Sequence, residues 1–215
     1  MNPPQLIIFD CDGVLVDSEA ISNHVVAELL TEIGLPTTGE EAVQLFAGTS
    51  MTYIRSYFRA QTGKEAPTDF EATYRKITYD AFTKELKAIE GIEEVLGQLK
   101  QTRCVASNGP MEKVRFNLKL TGLINYFDDH LFSAYDIQKW KPEPDLYLHA
   151  ATKMGFAPAD CLVIEDSPSG IQAAQRAGIR VLGYAAHAYA EEKLAATDTT
   201  VFHHMNQLPD LIKSI

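Results

Sequence analysis

Basic residues are scarce in this sequence: 19 Lys and Arg stand against 29 Asp and Glu, a net charge of -10. Nucleic acid is therefore excluded as a partner class, because a phosphate backbone calls for a basic face. Any bound anion must be held by local devices such as a metal ion, a lysine or helix N-termini. Cysteines are few and odd in number, Cys11, Cys104 and Cys161, which suits no disulfide framework and agrees with a reduced compartment. None of them opens a C-x5-R loop, since Asp17, Pro110 and Ser167 stand at the sixth following positions. A cysteine-phosphatase mechanism is thereby rejected. The opening MNPPQLIIFD has no basic region, and its apolar stretch is too short for a signal peptide or membrane span, so a cytoplasmic protein without a membrane partner is expected. His24, His130, His149, His187, His203 and His204 lack zinc-ligand spacing and read as loop, surface or core-edge residues. Neither G-x-G-x-x-G nor G-x-x-x-x-G-K-[ST] occurs, which removes nucleotide loops of those types, and there is no internal repeat or Gly/Ser linker.

What is present is a chain of 215 residues, 46% hydrophobic, enough for one full core and a smaller second unit. Leu6 to Phe9 form a short continuous apolar run, the pattern of a strand buried on both faces. After Ser18 the spacing becomes helical, with Ile21, Val25, Val26, Leu29, Leu30 and Ile33 on one face, Ser18 as the expected N-cap and Gly34 as a stop. Phe46, Ile54, Tyr57, Phe58, Phe70, Tyr74, Ile77 and Phe82 continue that periodicity and suggest a helical bundle. Beyond Gly91 the text alternates between strand runs (CVASNGP, HLFSA, CLVIEDS, RVLGY) and helical patterns. This alternation predicts an α/β fold: a Rossmann-like parallel sheet of about five strands, formed by residues 1–15 and 87–215, with an α-helical cap domain inserted at 16–86. A cap joined by two chain passages suits a lid on hinges.

In an open α/β sheet the ligand crevice lies outside the carboxyl ends of the strands. LIIF ends in Asp10-Cys11-Asp12, CVA in Ser107-Asn108-Gly109, and LVI in Glu165-Asp166-Ser167, while Lys141 follows HLFSA just ahead of Pro142. A lone DxD at a strand end is as readily an Asx turn as a site. Four carboxylates in one crevice, however, call for a cation, and Mg²⁺ fits a hard oxygen donor set shared with a phosphate. With Lys141 as a further positive charge, a phosphoryl dianion balances the site. One aspartate can attack phosphorus and the other move a proton, since residues i and i+2 at a strand end share a face.

DCDGVLVDS, Ser107-Asn108, Lys141-Pro142 and IEDSPSGIQAAQRAG together resemble the ordered motifs of the haloacid dehalogenase superfamily, in the phosphatase branch with an inserted helical cap. The resemblance implies Asp10 as nucleophile and Asp12 as general acid and then base. It implies Mg²⁺ held by Asp10, the backbone carbonyl of Asp12 and Asp166, with Glu165 at the metal or just behind it. Ser107 would then bind the phosphoryl group, and Lys141 would bridge it to Asp10. Asn108 and Gly109 would meet the phosphoryl or the leaving group.

Within that family, Asp12 and the Glu165-Asp166 pair oppose dehalogenation, which needs neither metal nor second aspartate. A β-phosphoglucomutase-type phosphoryl transfer is disfavoured because FAGTSMTYI carries Met51 where the mutase cap loop has arginine. A catalytically silent binding module remains the non-enzymatic alternative. ASNGP and LFSAYDIQKWKPEPDL are similar to bacterial phosphatases acting on 6-phosphogluconate and related sugar phosphates. The expectation is thus a monomeric, Mg²⁺-dependent phosphatase of a small phosphorylated metabolite. Gly48, Thr49 and Arg55 of the cap are expected at the substrate, with Arg59 and Lys64 as further cations for a sugar-acid carboxylate.

Overall fold

The computed structural model describes residues 3–186 and 188–215, so the expectation for His187 lies outside the described residues. Six parallel strands form one sheet in the order β3-β2-β1-β4-β5-β6: β1 Leu6–Phe9, β2 Thr102–Ser107, β3 Leu131–Ser133, β4 Cys161–Glu165, β5 Arg180–Tyr184 and β6 Thr200–Phe202. The first strand in sequence is central, pairing with β2 through Ile8↔Cys104 and with β4 through Ile8↔Val163. Its four residues are fully buried, as a strand covered on both faces must be. The crossovers diverge on either side of β1, so its carboxyl end is the switch point of the sheet, where an α/β fold opens a crevice.

The sequence suggested about five strands; the sixth is β6, at the sheet edge beside β5. At three residues, with Thr200 exposed and Val201 half-buried, it is too short and too wet to read as an apolar run.

The helices of the sheet-bearing unit are α5 Ile92–Gln98, α6 Met111–Leu120, α7 Ala134–Ile137, α8 Asp145–Met154, α9 Pro168–Arg176, α10 Ala188–Leu194 and α11 Leu208–Ser214, numbered after four helices given below. Leu6, Ile8, Ala106, Leu146, Tyr147, Val163 and Ala173 share one core between the sheet and α8 and α9. Fully burying a leucine or isoleucine there stabilises the fold by about 1.5–3 kcal/mol. α9 starts directly at the end of β4: the Ser167 hydroxyl accepts from Gly170 N at 3.1 Å and Pro168 takes the first turn, where no N–H is needed.

The chain divides into two compact units: the first segment of the sheet unit ends at Val16 and it resumes at Lys87, while Asp17–Leu86 form the second. Val16 stays with the sheet unit because it bridges to Ala88. The second unit holds α1 Glu19–Glu32, α2 Gly39–Phe46, α3 Met51–Thr62 and α4 Phe70–Glu85 around Val26, Leu30, Phe46, Ile54, Phe58 and Phe70. A capping box opens α2, with Glu41 N donating to Thr38 Oγ1 and Thr38 N to Glu41 Oε2. Ser18 precedes α1 but does not close a side-chain cap on it. Among the described residues no helix is long and apolar enough to cross a membrane.

Candidate active site

The chain leaves β1 in a tight turn. Asp10 N donates to Ile164 O at 3.0 Å, and Leu15 N and Val16 N both donate to Cys11 O. Gly13 sits at φ 76°, a left-handed conformation that favours glycine. A side chain there would also overlap the Asp166 carboxylate, so the glycine lets the end of β4 press against the β1 turn. Cys11 points into the core, fully buried, and burial followed by the charges of Asp12 and Asp10 pushes its thiol well above the ordinary range. It is no nucleophile.

Lys141 lies at the centre of the site. Its ammonium, only 2% exposed in the side chain, is 2.7 Å from Asp10 Oδ1 and 2.7 Å from Glu165 Oε1. Burial alone would lower its pKa, but Asp10 and Glu165 hold it well above the usual lysine value, so it stays charged. Burial pushes the Asp10 carboxyl up to about 7 against the pull of Lys141, with Glu165 and Asp12 adding to the rise. One lysine does not offset this much negative charge.

Glu165 is fully buried and fully engaged. Oε1 accepts from Lys141 Nζ and from Tyr147 Oη at 3.0 Å; Oε2 accepts from Ser167 N at 2.7 Å and Ser167 Oγ at 2.9 Å. A carboxylate offers about four lone-pair directions, and all are used. Gly170 makes this seat, because a Cβ at that position would land on the Glu165 carboxylate. The Tyr147 ring faces Lys141 Nζ at 4.9 Å from its centroid, a cation–π arrangement. Burial, then the nearby Glu165, keeps its phenol protonated and able to donate.

Carboxylate oxygens of Asp10, Glu165 and Asp166 lie within 4.8 Å of one another. This is a hard, oxygen-only donor set of the kind Mg²⁺ takes, and the raised Asp10 carboxyl marks a place where more positive charge is wanted. The residues fit the cation expected from the sequence. Glu165 belongs to the cluster with both of its oxygens already accepting twice, and Asp10 and Asp166 could hold an ion beside it.

The loops after β2 and β3 are locked together. Lys141 N donates to Asn108 Oδ1 at 2.9 Å and Asn108 Nδ2 donates to Lys141 O at 3.4 Å, in a turn containing a cis Lys141–Pro142 peptide bond. Asn108, expected to meet the substrate, directs one N–H and its carbonyl oxygen to the backbone of Lys141. Arg176 of α9 donates to Pro142 O at 3.1 Å from the other side. Ser107 Oγ is buried and accepts from Gly109 N at 3.0 Å, which leaves its O–H to donate. Ser133 Oγ donates to Gly109 O at 2.7 Å and holds that turn. Asp12 is held by α6: its Oδ2 is 2.8 Å from Lys113 Nζ and its Oδ1 3.4 Å from Asn117 Nδ2. Asp10 thus pairs with Lys141 and Asp12 with Lys113.

In the helical unit, Gly48 N donates to Glu19 Oε2 at 3.0 Å and Thr49 Oγ1 to Phe46 O at 2.8 Å, so this loop is fixed by its own unit. Arg59 pairs with Glu65 at 3.2 Å on the surface, and Arg55 is half-buried. Tyr147, Ser133, Gly170, Lys113 and Asn117 were not singled out from the sequence. The one signal available was Asn117, a polar residue in the buried stripe Val114, Asn117, Leu118 of α6.

Residues 7–184 match the family model of the haloacid dehalogenase-like hydrolases. Over all 215 residues the chain is 35% identical to the 6-phosphogluconate phosphatase of Escherichia coli K12 and covers 97% of that protein. A conserved haloacid dehalogenase-like protein of unknown function from Agrobacterium tumefaciens C58 superposes with a TM-score of 0.90 at 34% identity, over 98% of each chain. A haloacid dehalogenase family hydrolase from Deinococcus radiodurans R1, solved with bound phosphate and sodium, gives a TM-score of 0.82 at 29% identity, over 99% of this chain and 96% of that one.

Proposed function

The chain belongs to the haloacid dehalogenase-like hydrolases, and on that footing we propose that it is a Mg²⁺-dependent phosphatase of a small sugar phosphate, 6-phosphogluconate or a close relative. The observation that carries this reading is the buried ammonium of Lys141, 2.7 Å from both Asp10 and Glu165 at the sheet's switch point. It is a fixed cation beside a strand-end carboxylate, which is what a phosphoryl group in transfer requires.

In the proposed reaction an Asp10 carboxylate oxygen attacks phosphorus and the ester P–O bond breaks, with Asp12 giving its proton to the departing alkoxide. Asp12 then takes a proton from a water that attacks the aspartyl-phosphate, and inorganic phosphate leaves with Asp10 regenerated. The Ser107 O–H donates to the phosphoryl oxygens, and Lys141 offsets the charge that develops on them. Magnesium, held by Asp10, Asp166 and the Asp12 carbonyl, would supply the charge that keeps Asp10 ionised and steadies the phosphoryl group. Glu165 supports Lys141 and Ser167 from behind. The helical unit is assigned the choice of substrate, with Arg55 as the cation for a sugar-acid carboxylate.

The test is hydrolysis of p-nitrophenyl phosphate and of a panel of phosphate monoesters that includes 6-phosphogluconate. Activity should need Mg²⁺, vanish with EDTA and be lost in Asp10→Asn. Near-wild-type turnover by Asp10→Asn would overturn the mechanism. Failure of every sugar phosphate in the panel would overturn the substrate class alone.

A further inference from the structure

We propose that Lys113 and Asn117, on one face of α6, are positioning residues that hold the Asp12 carboxylate in the orientation from which it serves the leaving group. This rests on the reading of Asp12 as general acid and base given above, and deepens it.

Lys113 and Asn117 are one helical turn apart, and side chains at that spacing lie together on a helix surface. Each takes a different oxygen of Asp12: Lys113 Nζ is 2.8 Å from Oδ2 and Asn117 Nδ2 is 3.4 Å from Oδ1. With both oxygens engaged, rotation of the carboxylate about its terminal bond would break a contact, and that torsion is otherwise broad. The pair is not an ordinary surface ion pair, which is mobile and contributes little: the Lys113 and Asp12 side chains are 24% and 20% exposed.

Asn117 strengthens the argument. It is completely buried, and its Oδ1 finds no hydrogen-bond partner. Burying an amide carbonyl without a partner is unfavourable, and an apolar side chain would continue the Val114–Leu118 stripe without that penalty. The favourable contact made by this amide is the one its Nδ2 gives to Asp12.

The seat is also close to the phosphoryl-binding loop. A Cβ at Gly109 would lie 3.3 Å from Ser107 Oγ, 3.6 Å from Lys113 Cδ and 3.9 Å from Asp12 Oδ2. Lys113, Asp12 and Ser107 therefore surround one glycine, whose turn is tied down through Gly109 O by Ser133. A carboxylate steered by α6 stands beside the loop that receives the phosphoryl group.

The experiment follows single-turnover release of the leaving group from an alkyl phosphate, 6-phosphogluconate, and an activated aryl phosphate, p-nitrophenyl phosphate. Lys113→Met should slow the alkyl ester about tenfold or more while changing the aryl ester less than about twofold, because only the alkoxide needs a well-placed proton donor. Lys113→Arg, which restores a cation, should recover part of the loss. In an Asp12→Asn background, Lys113→Met should have no further effect on either ester. Equal losses for the two esters, or losses that multiply with those of Asp12→Asn, would overturn the assignment and leave Lys113 a structural residue of α6. If Asp12→Asn itself slows both esters alike, the acid–base reading fails first and this inference with it. Asn117→Leu, with unchanged melting temperature, should reproduce the alkyl-selective loss in smaller measure; a loss on both esters alike would remove Asn117 from the seat.

Discussion

The Asn108 side chain grips Lys141 by its own peptide groups, accepting from Lys141 N at 2.9 Å and donating to Lys141 O at 3.4 Å. An amide has an acceptor end and a donor end, and here each makes a bond to the same residue of the neighbouring loop. The position of the ammonium is thus set from the end of β2 as well as from its own loop.

If that is the role of Asn108, Asn108→Ala should lower kcat for alkyl and aryl phosphates alike, with little change in KM. A displacement of about 1 Å at Lys141 is enough to lose about 10²-fold. A rise in KM with kcat preserved would instead support the substrate-binding role expected of Asn108 from the sequence.

Asp10 should leave its mark on stability in the absence of metal. The folded protein holds the Asp10 proton to about pH 7, whereas an unfolded aspartate releases it near 3.8. The folded state therefore binds more protons across that window, and this contribution to stability is lost as pH rises through it. In EDTA, Asp10→Asn should melt above the wild type at pH 8, and the gap should shrink toward pH 5. Adding Mg²⁺ at pH 8 should raise the wild-type melting temperature and leave that of Asp10→Asn nearly unchanged.

Glu165 and Gly170 form a lock whose failure should be structural as well as catalytic. Gly170→Ala places a methyl on the Glu165 carboxylate, and overpacking of this kind destabilises by about 1–3 kcal/mol. Glu165→Gln turns an NH₂ toward either Lys141 and Tyr147 or the Ser167 donors, and breaking a buried pair in this way costs about 3–5 kcal/mol. Denaturant unfolding measures both. Tyr147→Phe, which keeps the ring over Lys141 and removes one donor, should be the mildest of the three.

Magnesium affinity should respond to Gly13, a residue that carries no ligand atom on a side chain. Gly13→Ala would push against Asp166 and strain a turn at φ 76°. The Mg²⁺ concentration for half-maximal activity should then rise about tenfold or more, within the range seen when residues behind a metal ligand are changed. Unchanged metal dependence would argue that Asp166 is not a ligand.

Arg55 tests the substrate. Arg55→Gln should weaken 6-phosphogluconate hydrolysis about tenfold and spare p-nitrophenyl phosphate, which has no carboxylate to pair. Arg59→Gln should leave the hydrolysis of both esters unchanged, because Arg59 already pairs with Glu65.

The strand ends were legible because a parallel strand buried on both faces writes itself as an unbroken apolar run, so the first polar residue after it marks the crevice. Asp10, Ser107 and Glu165 stand out in that way, at ends of β1, β2 and β4, and Lys141 by its place ahead of Pro142. The residues behind them were not. Tyr147 lies in a helix where an aromatic reads as core, and only the fold brings its hydroxyl to Glu165. Lys113 reads as a solvated helix lysine until Asp12, from the far end of the unit, is set beside it. β6 was missed because three residues at a wet edge carry no period.

The strand order also dictates a timetable for synthesis. Leu6 to Phe9 emerge first, yet Phe9 pairs with Val105 on one side and Ile164 on the other, so the centre of the sheet has no neighbour on its first side until Val105 is made and none on its second until Ile164 is made. The helical unit between Asp17 and Leu86 is contiguous and can acquire its core while β1 is still waiting. Pairing between such distant segments is slow and leaves an apolar strand edge exposed in the meantime. On the ribosome, the strand that ends at Asp10 is the earliest made, and it stays open on one side until β4 has emerged.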